Sequence, residues 1–167
     1  TFEKMISGAY IGPLCLTAAK AAAKAGLFSK AAADGIAGIQ AATTKDISSF
    51  LTRPEGRDNP ISAALAGATD DDVITLYHIA DALIERSAKL TAANLSSAAL
   101  KSGKGRNPAR PICIVAEGTT FYKLKSLRSK VEFYLKQYLV DKKHVYYEIT
   151  NIDNATLIGA AIAGLTN

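Results

Sequence analysis

Tryptophan is absent from this sequence, methionine occurs once, and cysteine and histidine occur twice each. Two cysteines, Cys15 and Cys113, exclude a disulfide-stapled scaffold and a four-cysteine zinc site. Both sit in apolar runs, so packed, reduced thiols are expected rather than redox groups. His78 and His144 have no Gly-Xaa-Ser-Xaa-Gly turn to serve, which removes the strained-serine form of hydrolase. Both are expected to be structural, and no metal site is read from the sequence. No apolar stretch reaches the ~18 residues of a membrane span. No basic leader of a signal peptide opens the chain. It reads as a piece of something longer, working in the cytoplasm.

What is present is enough for one compact core: 167 residues, 49% of them hydrophobic. Lysine and arginine outnumber aspartate and glutamate by 20 to 15, for a net charge of +5. The basic clusters are Lys101, Lys104, Arg106 and Arg110 in one loop, and Lys123, Lys125, Arg128 and Lys130 further on. Neither is accompanied by a nucleic-acid-binding motif or stacking aromatics, so both read as solvated surface. Alanine supplies 30 residues. It is the best helix former because it loses no side-chain entropy on ordering. Embedded Leu16, Leu27, Phe28, Ile36 and Ile39 make the alanine-rich part a packed core rather than a linker, with Lys20 and Lys24 on a solvent face.

The pattern predicts an opening helix over residues 2–25, disturbed at Gly12–Pro13, and a second over 29–41. A polar segment follows, with a helical turn at 46–51, the loop RPEGRDNP and a small helix over 61–66. Thr69 or Asp70 caps a long helix over 71–100, with Asp70, Asp71 and Asp72 massed at its positive end. That position explains the acidic run without a metal. The character then changes. Residues 112–115 read as a strand buried on both faces. EGTT turns into a helix over 126–139 that buries Leu127, Val131, Tyr134, Leu135 and Tyr138. A second strand covers 144–149 and a last helix 155–165. Strand–helix–strand–helix order implies parallel pairing, so residues 111–167 read as an α/β layer behind a helical part, 1–110. Two strands alone make no stable sheet. Further strands, and exposed apolar surface where they dock, are expected.

Two places suit a phosphate. Glu117-Gly118-Thr119-Thr120 follows the first strand, where glycine permits close approach. The last helix starts after the second strand, with free N–H groups expected at the carboxyl end of the sheet.

Four segments carry a resemblance. FEKMISGAYIGPL is similar to the hexokinase segment built on a glutamate, Lys-Met, a small residue, Gly and Tyr. VAEGTTFYKL resembles that family's adenosine segment. Thr44-Lys45-Asp46-Ile47-Ser48 is similar to a stretch lying along the bound nucleotide. Glu85-Arg86-Ser87-Ala88 resembles the Thr-Arg-Ala-Ala helix. Order and spacing match across the chain, which is thereby identified as the C-terminal part of a hexokinase large domain. The resemblance implies an actin-like, ribonuclease H-like α/β architecture. It also implies transfer of the γ-phosphoryl of Mg-ATP to the primary hydroxyl of a hexose. Carried over by position, Glu3 would accept hydrogen bonds from sugar hydroxyls, and Gly8 would line the phosphate side. Thr44 and Ser48 would lie along the nucleotide, and Gly118 with Thr119 would hold the adenosine.

The departures are Ala9 for a basic residue, Pro13 for an acid and Glu117 for Asp. Asn154-Ala155-Thr156-Leu157-Ile158-Gly159 keeps only the last glycine of a glycine-rich turn. In the family the catalytic aspartate and first phosphate loop precede the glutamate motif. This segment alone is therefore expected to be inactive, with the remainder of a hexokinase chain as its partner. A catalytically lost sugar sensor or scaffold is the alternative, and a basic helical nucleic-acid binder a third.

Overall fold

Ser7 divides what the sequence reads as one opening helix. The computed structural model describes residues 2–56 and 58–166. Thr1, Asn167 and the Arg57 of the predicted RPEGRDNP loop lie outside the described residues. Helix α1 spans Phe2–Ile6 and α2 spans Gly8–Lys24. Ser7 between them is extended, and its hydroxyl accepts a bond from the Ala9 N–H at 3.3 Å, which restarts the helix. Pro13, where a disturbance was expected, continues inside α2 on its exposed side. The donor it lacks would have served the carbonyl of Ala9, itself exposed, so little is lost.

Helices α3 (Lys30–Gly38), α4 (Thr44–Thr52), α5 (Pro60–Ala64) and α6 (Asp70–Lys101) follow. Each starts at a side chain that bonds its first turn: Ser29, Thr43, Asn59 and Thr69. The acidic run caps as predicted, with Thr69 and Asp72 forming a reciprocal box. Asp72 reaches further. Its Oδ1 accepts from Ser29 N–H at 2.7 Å and its Oδ2 from the Ser29 hydroxyl at 2.6 Å. One buried carboxylate thus fixes the starts of two helices. Those bonds, led by the Ser29 hydroxyl, hold the Asp72 carboxyl well below the usual carboxylate range.

The core lies among α2, α3, α4 and α6, with Ile11, Cys15, Ile36, Phe50 and Ile84 fully buried. Small side chains let the helices close in: Ala80, Ala88, Ala92 and Ala99 share the buried face of α6 with Leu76 and Ile84. At Gly12 an added Cβ would stand 2.4 Å from the backbone carbon of Thr43, so α2 and α4 meet backbone to backbone. Two expectations fail here. Leu27 is 61% exposed, because it follows the end of α2 and points away from the bundle. Lys20 is not a solvated cation, since its ammonium donates to the Ile39 carbonyl at 2.6 Å, closing the end of α3.

Strands β1 (Ile112–Val115) and β2 (Tyr147–Thr150) pair in parallel, Ile112 opposite Tyr147 and Val115 opposite Thr150. Neither is buried on both faces. Ile112, Ile114, Tyr147 and Ile149 pack against the core, while Cys113 and Val115 are exposed on the other face. Cys113 is therefore not the packed thiol expected. The second strand starts later than predicted, because His144 takes a left-handed conformation (φ 52°) that no strand continues.

The crossover contains an unpredicted short helix, α7 (Thr119–Lys123), before α8 (Leu127–Leu135). Helix α8 runs into a π-helical turn, Lys136–Val140. The wider turn keeps Leu139 on the buried stripe of Leu127, Val131 and Leu135. It rotates Tyr138 outward to 40% exposure, against expectation, and leaves Tyr134 half-buried. Helix α9 (Ala155–Thr166) ends the described chain, with Leu157, Ile158, Ile162 and Leu165 exposed.

Candidate functional site

Helix α4 begins where Thr43 and Asp46 bond each other's backbone and side chain, at 2.8 Å and 3.2 Å. This box consumes Asp46 and presents the next side chains outward. Helix α7 begins after Gly118, whose φ of 121° is costly for any other residue and beside which a Cβ would meet nothing within 4 Å. Between the two helices lies an open groove of about 510 Å³. Thr44, Lys45, Ser48 and Ser49 form one wall; Thr119, Thr120, Lys123 and Leu124 form the other.

Three of the residues named from sequence thus meet: Thr44, Ser48 and Thr119, with Gly118 next to them. The hydroxyls of two are already engaged. Thr44 Oγ1 donates to the Gly8 carbonyl and accepts from Gly12 N–H at 3.0 Å. Ser48 Oγ donates to the Lys123 carbonyl at 3.2 Å and accepts from Lys125 N–H at 3.0 Å. They hold the two walls and α2 in place, so their first role is to position the groove. Gly8 lies behind it: a Cβ there would stand 2.1 Å from Thr120 Oγ1. Glu3 is exposed on α1 and does not line the groove.

The sequence reading gave no site role to Lys45 or Ser49, read Lys123 as solvated surface and carried Thr120 only as part of the Glu117–Thr120 phosphate place. The ammoniums of Lys45 and Lys123 make no ion pair or hydrogen bond among the described residues. Both lysines stood within the motifs already quoted, and a cation beside a glycine turn was the available signal. Two unpaired ammoniums beside hydroxyls suit a polyanion.

The second predicted phosphate place is occupied. Glu117 Oε2 accepts from Thr156 N–H at 3.2 Å and from its hydroxyl at 2.8 Å. An internal carboxylate therefore sits at the start of α9, where free N–H groups were expected. The Glu85 motif is taken up as well. Tyr134 donates to Glu85 at 2.6 Å, Lys89 lies at 2.9 Å and Lys130 bridges Glu85 and Asp81 at 3.3 and 3.0 Å. The Tyr134 bond, then those from Lys89 and Lys130, lower the Glu85 carboxyl to about 2. Burial works against the charge on Lys130, but Asp81 and Glu85 outweigh it and hold its pKa above the usual value. Lys130 is thus no free surface cation; it fastens α8 to α6. His78 and His144 are exposed, and no cluster of metal-ligating side chains forms among the described residues.

The family model described as Hexokinase matches residues 1–166. The chain belongs to the hexokinase family. No curated protein matches it. Membership supports sugar phosphorylation in general, and a phosphotransferase as the protein to which the chain belongs. The helix-rich α/β arrangement with two parallel strands is compatible with the C-terminal portion of a hexokinase. No described helix is long and apolar enough to cross a membrane.

Proposed function

We propose that this chain is part of an ATP-dependent hexokinase of the cytoplasm. Its reaction passes the γ-phosphoryl of ATP to the primary hydroxyl of a glucose-like hexose. The α4–α7 groove takes the adenosine side of the nucleotide. One observation carries the reading: segments far apart in sequence, Thr44–Ser49 and Thr119–Leu124, converge on a single groove with two unpaired ammoniums. Phosphoryl transfer asks mainly for positioning and charge stabilisation, and Lys45 and Lys123 offer both to a polyphosphate. Thr119 and the open space over Gly118 receive the nucleoside. Glu3, exposed on α1, accepts hydrogen bonds from two sugar hydroxyls in fixed geometry. Mg²⁺ arrives with ATP, held by the phosphates and by residues outside this chain. The actin-like large domain, with the remainder of the hexokinase chain, completes the site; no nucleic acid and no membrane enters this reading.

A sugar sensor that has lost catalysis is the second reading, and Glu117 favours it. A carboxylate bonded to Thr156 repels the phosphate that an open helix N-terminus would attract. ADP release separates the two readings, measured with Mg-ATP, with and without glucose, on the polypeptide that carries this chain. Glucose-dependent turnover, with Lys45→Ala and Lys123→Ala each raising KM for ATP, is the expected result. Sugar binding without turnover on any hexose overturns the kinase in favour of the sensor.

A further inference from the structure

A second groove, of about 320 Å³, lies between α6 and the α8–π-turn segment, and the proposed reaction makes no use of it. Ala92 and Ala93 form its floor, Leu100 closes one end, and Tyr134 with Tyr138 makes the facing wall. The π turn builds that wall, since it rotates Tyr138 off the buried stripe and over the groove.

Ser96 faces into this space. It is 2% exposed, yet its hydroxyl makes no hydrogen bond, and its oxygen is open to the groove rather than sealed. Some helical hydroxyls here close back on their own helix, as Thr91 bonds the Ser87 carbonyl at 2.9 Å and Thr17 the Pro13 carbonyl at 2.8 Å, and others reach a neighbour, as Ser87 bonds the Met5 carbonyl at 3.1 Å. Ser96 forgoes the equivalent bond. A buried hydroxyl left open in this way is a donor and acceptor waiting for a partner.

The charge at the other end fixes the kind of partner. Lys89 borders the groove, but it belongs to a network of two ammoniums, Lys89 and Lys130, and two carboxylates, Glu85 and Asp81. That network is balanced, so the groove draws no ion. Ala92, Ala93 and the rings of Tyr134 and Tyr138 give the groove apolar surface suited to a planar ring, although Lys89 and Lys143 each hold an ammonium over one of those rings. Ser97 and Gln137 also line the groove, so a sugar is the competing occupant and glucose the control for it.

We propose that this groove binds a neutral, planar aromatic molecule carrying one hydrogen-bonding group. The ring lies over Ala92 and Ala93, and the polar group bonds Ser96 Oγ.

Phenol is the probe, titrated into the full chain and followed by NMR shifts of the Ser96 and Tyr138 amides. Toluene serves as the ring without a polar group, and glucose as the polar ligand without a ring. Saturable, millimolar-range phenol binding localised to those amides is expected. Ser96→Ala, which favours the helix and so folds, weakens phenol by roughly fivefold, one ordinary hydrogen bond. It leaves toluene unchanged. Ala93→Leu fills the floor and removes both. Absent phenol shifts, unchanged phenol affinity in Ser96→Ala, or glucose bound in place of phenol would each overturn the proposal. None of these readouts depends on turnover, so they stand apart from the kinase reading.

Discussion

Replacing Asp72 by alanine removes four hydrogen bonds at once. Two cross to Ser29, at 2.7 and 2.6 Å, and two close the Thr69 cap, both at 2.9 Å. A hydrogen bond to a charged group contributes about 1.5–3 kcal/mol. Loss of a helix cap costs about 1 kcal/mol. The Ser29 hydroxyl keeps its own bond to Ala32 N–H and Ser29 is only half-buried, which tempers the cross-links. The expected loss is about 4 kcal/mol, a large share of the 5–15 kcal/mol typical of a domain. At about 2–4 °C per kcal/mol for a chain of this size, Tm falls by about 8–16 °C. Asp72→Asn keeps an acceptor but turns an amide N–H toward donors, so it recovers little. The dependence on pH has a definite sign. The folded carboxyl titrates below the unfolded value of about 3.9, so between the two the unfolded chain binds the proton that the folded chain refuses. Its stabilisation is complete above that value and is lost as pH falls toward the folded pKa. Urea unfolding followed by circular dichroism, at neutral pH and in acid, measures both effects. A loss below about 1 kcal/mol at neutral pH would refute the reasoning. So would wild type and variant weakening in parallel as the solution is acidified.

Gly12→Ala drives a methyl group to 2.4–2.6 Å from backbone atoms of Thr43, Thr44 and Ala42, none of which has a rotamer to yield. A destabilisation at or above the top of the ~1–3 kcal/mol overpacking range is expected in urea, while Gly38→Ala, with nothing within 4 Å, serves as the near-neutral control. Equal effects at the two positions would contradict the close backbone contact. A thiol-reactive chromophore at neutral pH should label Cys113 quickly and Cys15 only after denaturation. Cys113 is exposed, whereas burial pushes the Cys15 thiol up to about 12. Rapid labelling that survives Cys113→Ser would refute the burial of Cys15.

Caps and periodicities were legible because they are local. The cap at Thr69 and the acids of the first turn of α6 follow from neighbours within a few residues, and the parallel pairing of β1 with β2 follows from the order strand–helix–strand. The misplaced break near the start is also local, but it pits a serine cap against a proline, and composition alone does not rank them. The link from Asp72 to Ser29 spans 43 residues and has no signature in either segment. Nor does the sequence show that Thr44 and Ser48 spend their hydroxyls on backbone, since that depends on where α2 and α7 come to rest. The motifs located the groove, and only the fold assigned its free groups, to Lys45 and Lys123 rather than to the hydroxyls. The π turn escaped notice because Leu139 continues the buried spacing and hides the extra residue before it.

The glycine contact between α2 and α4 has a mechanical consequence. Where side chains separate two helices, a push on one is absorbed by rotamer changes in the layer between. At Gly12 there is no such layer, and Thr44 ties the same two helices by bonds to Gly8 and Gly12. The joint is stiff in shear and in compression. A displacement of the first turns of α2, which adjoin the α1 helix that carries Glu3, is passed directly to the wall of the groove that holds Lys45 and Ser49. The two ends of the proposed site are one lever.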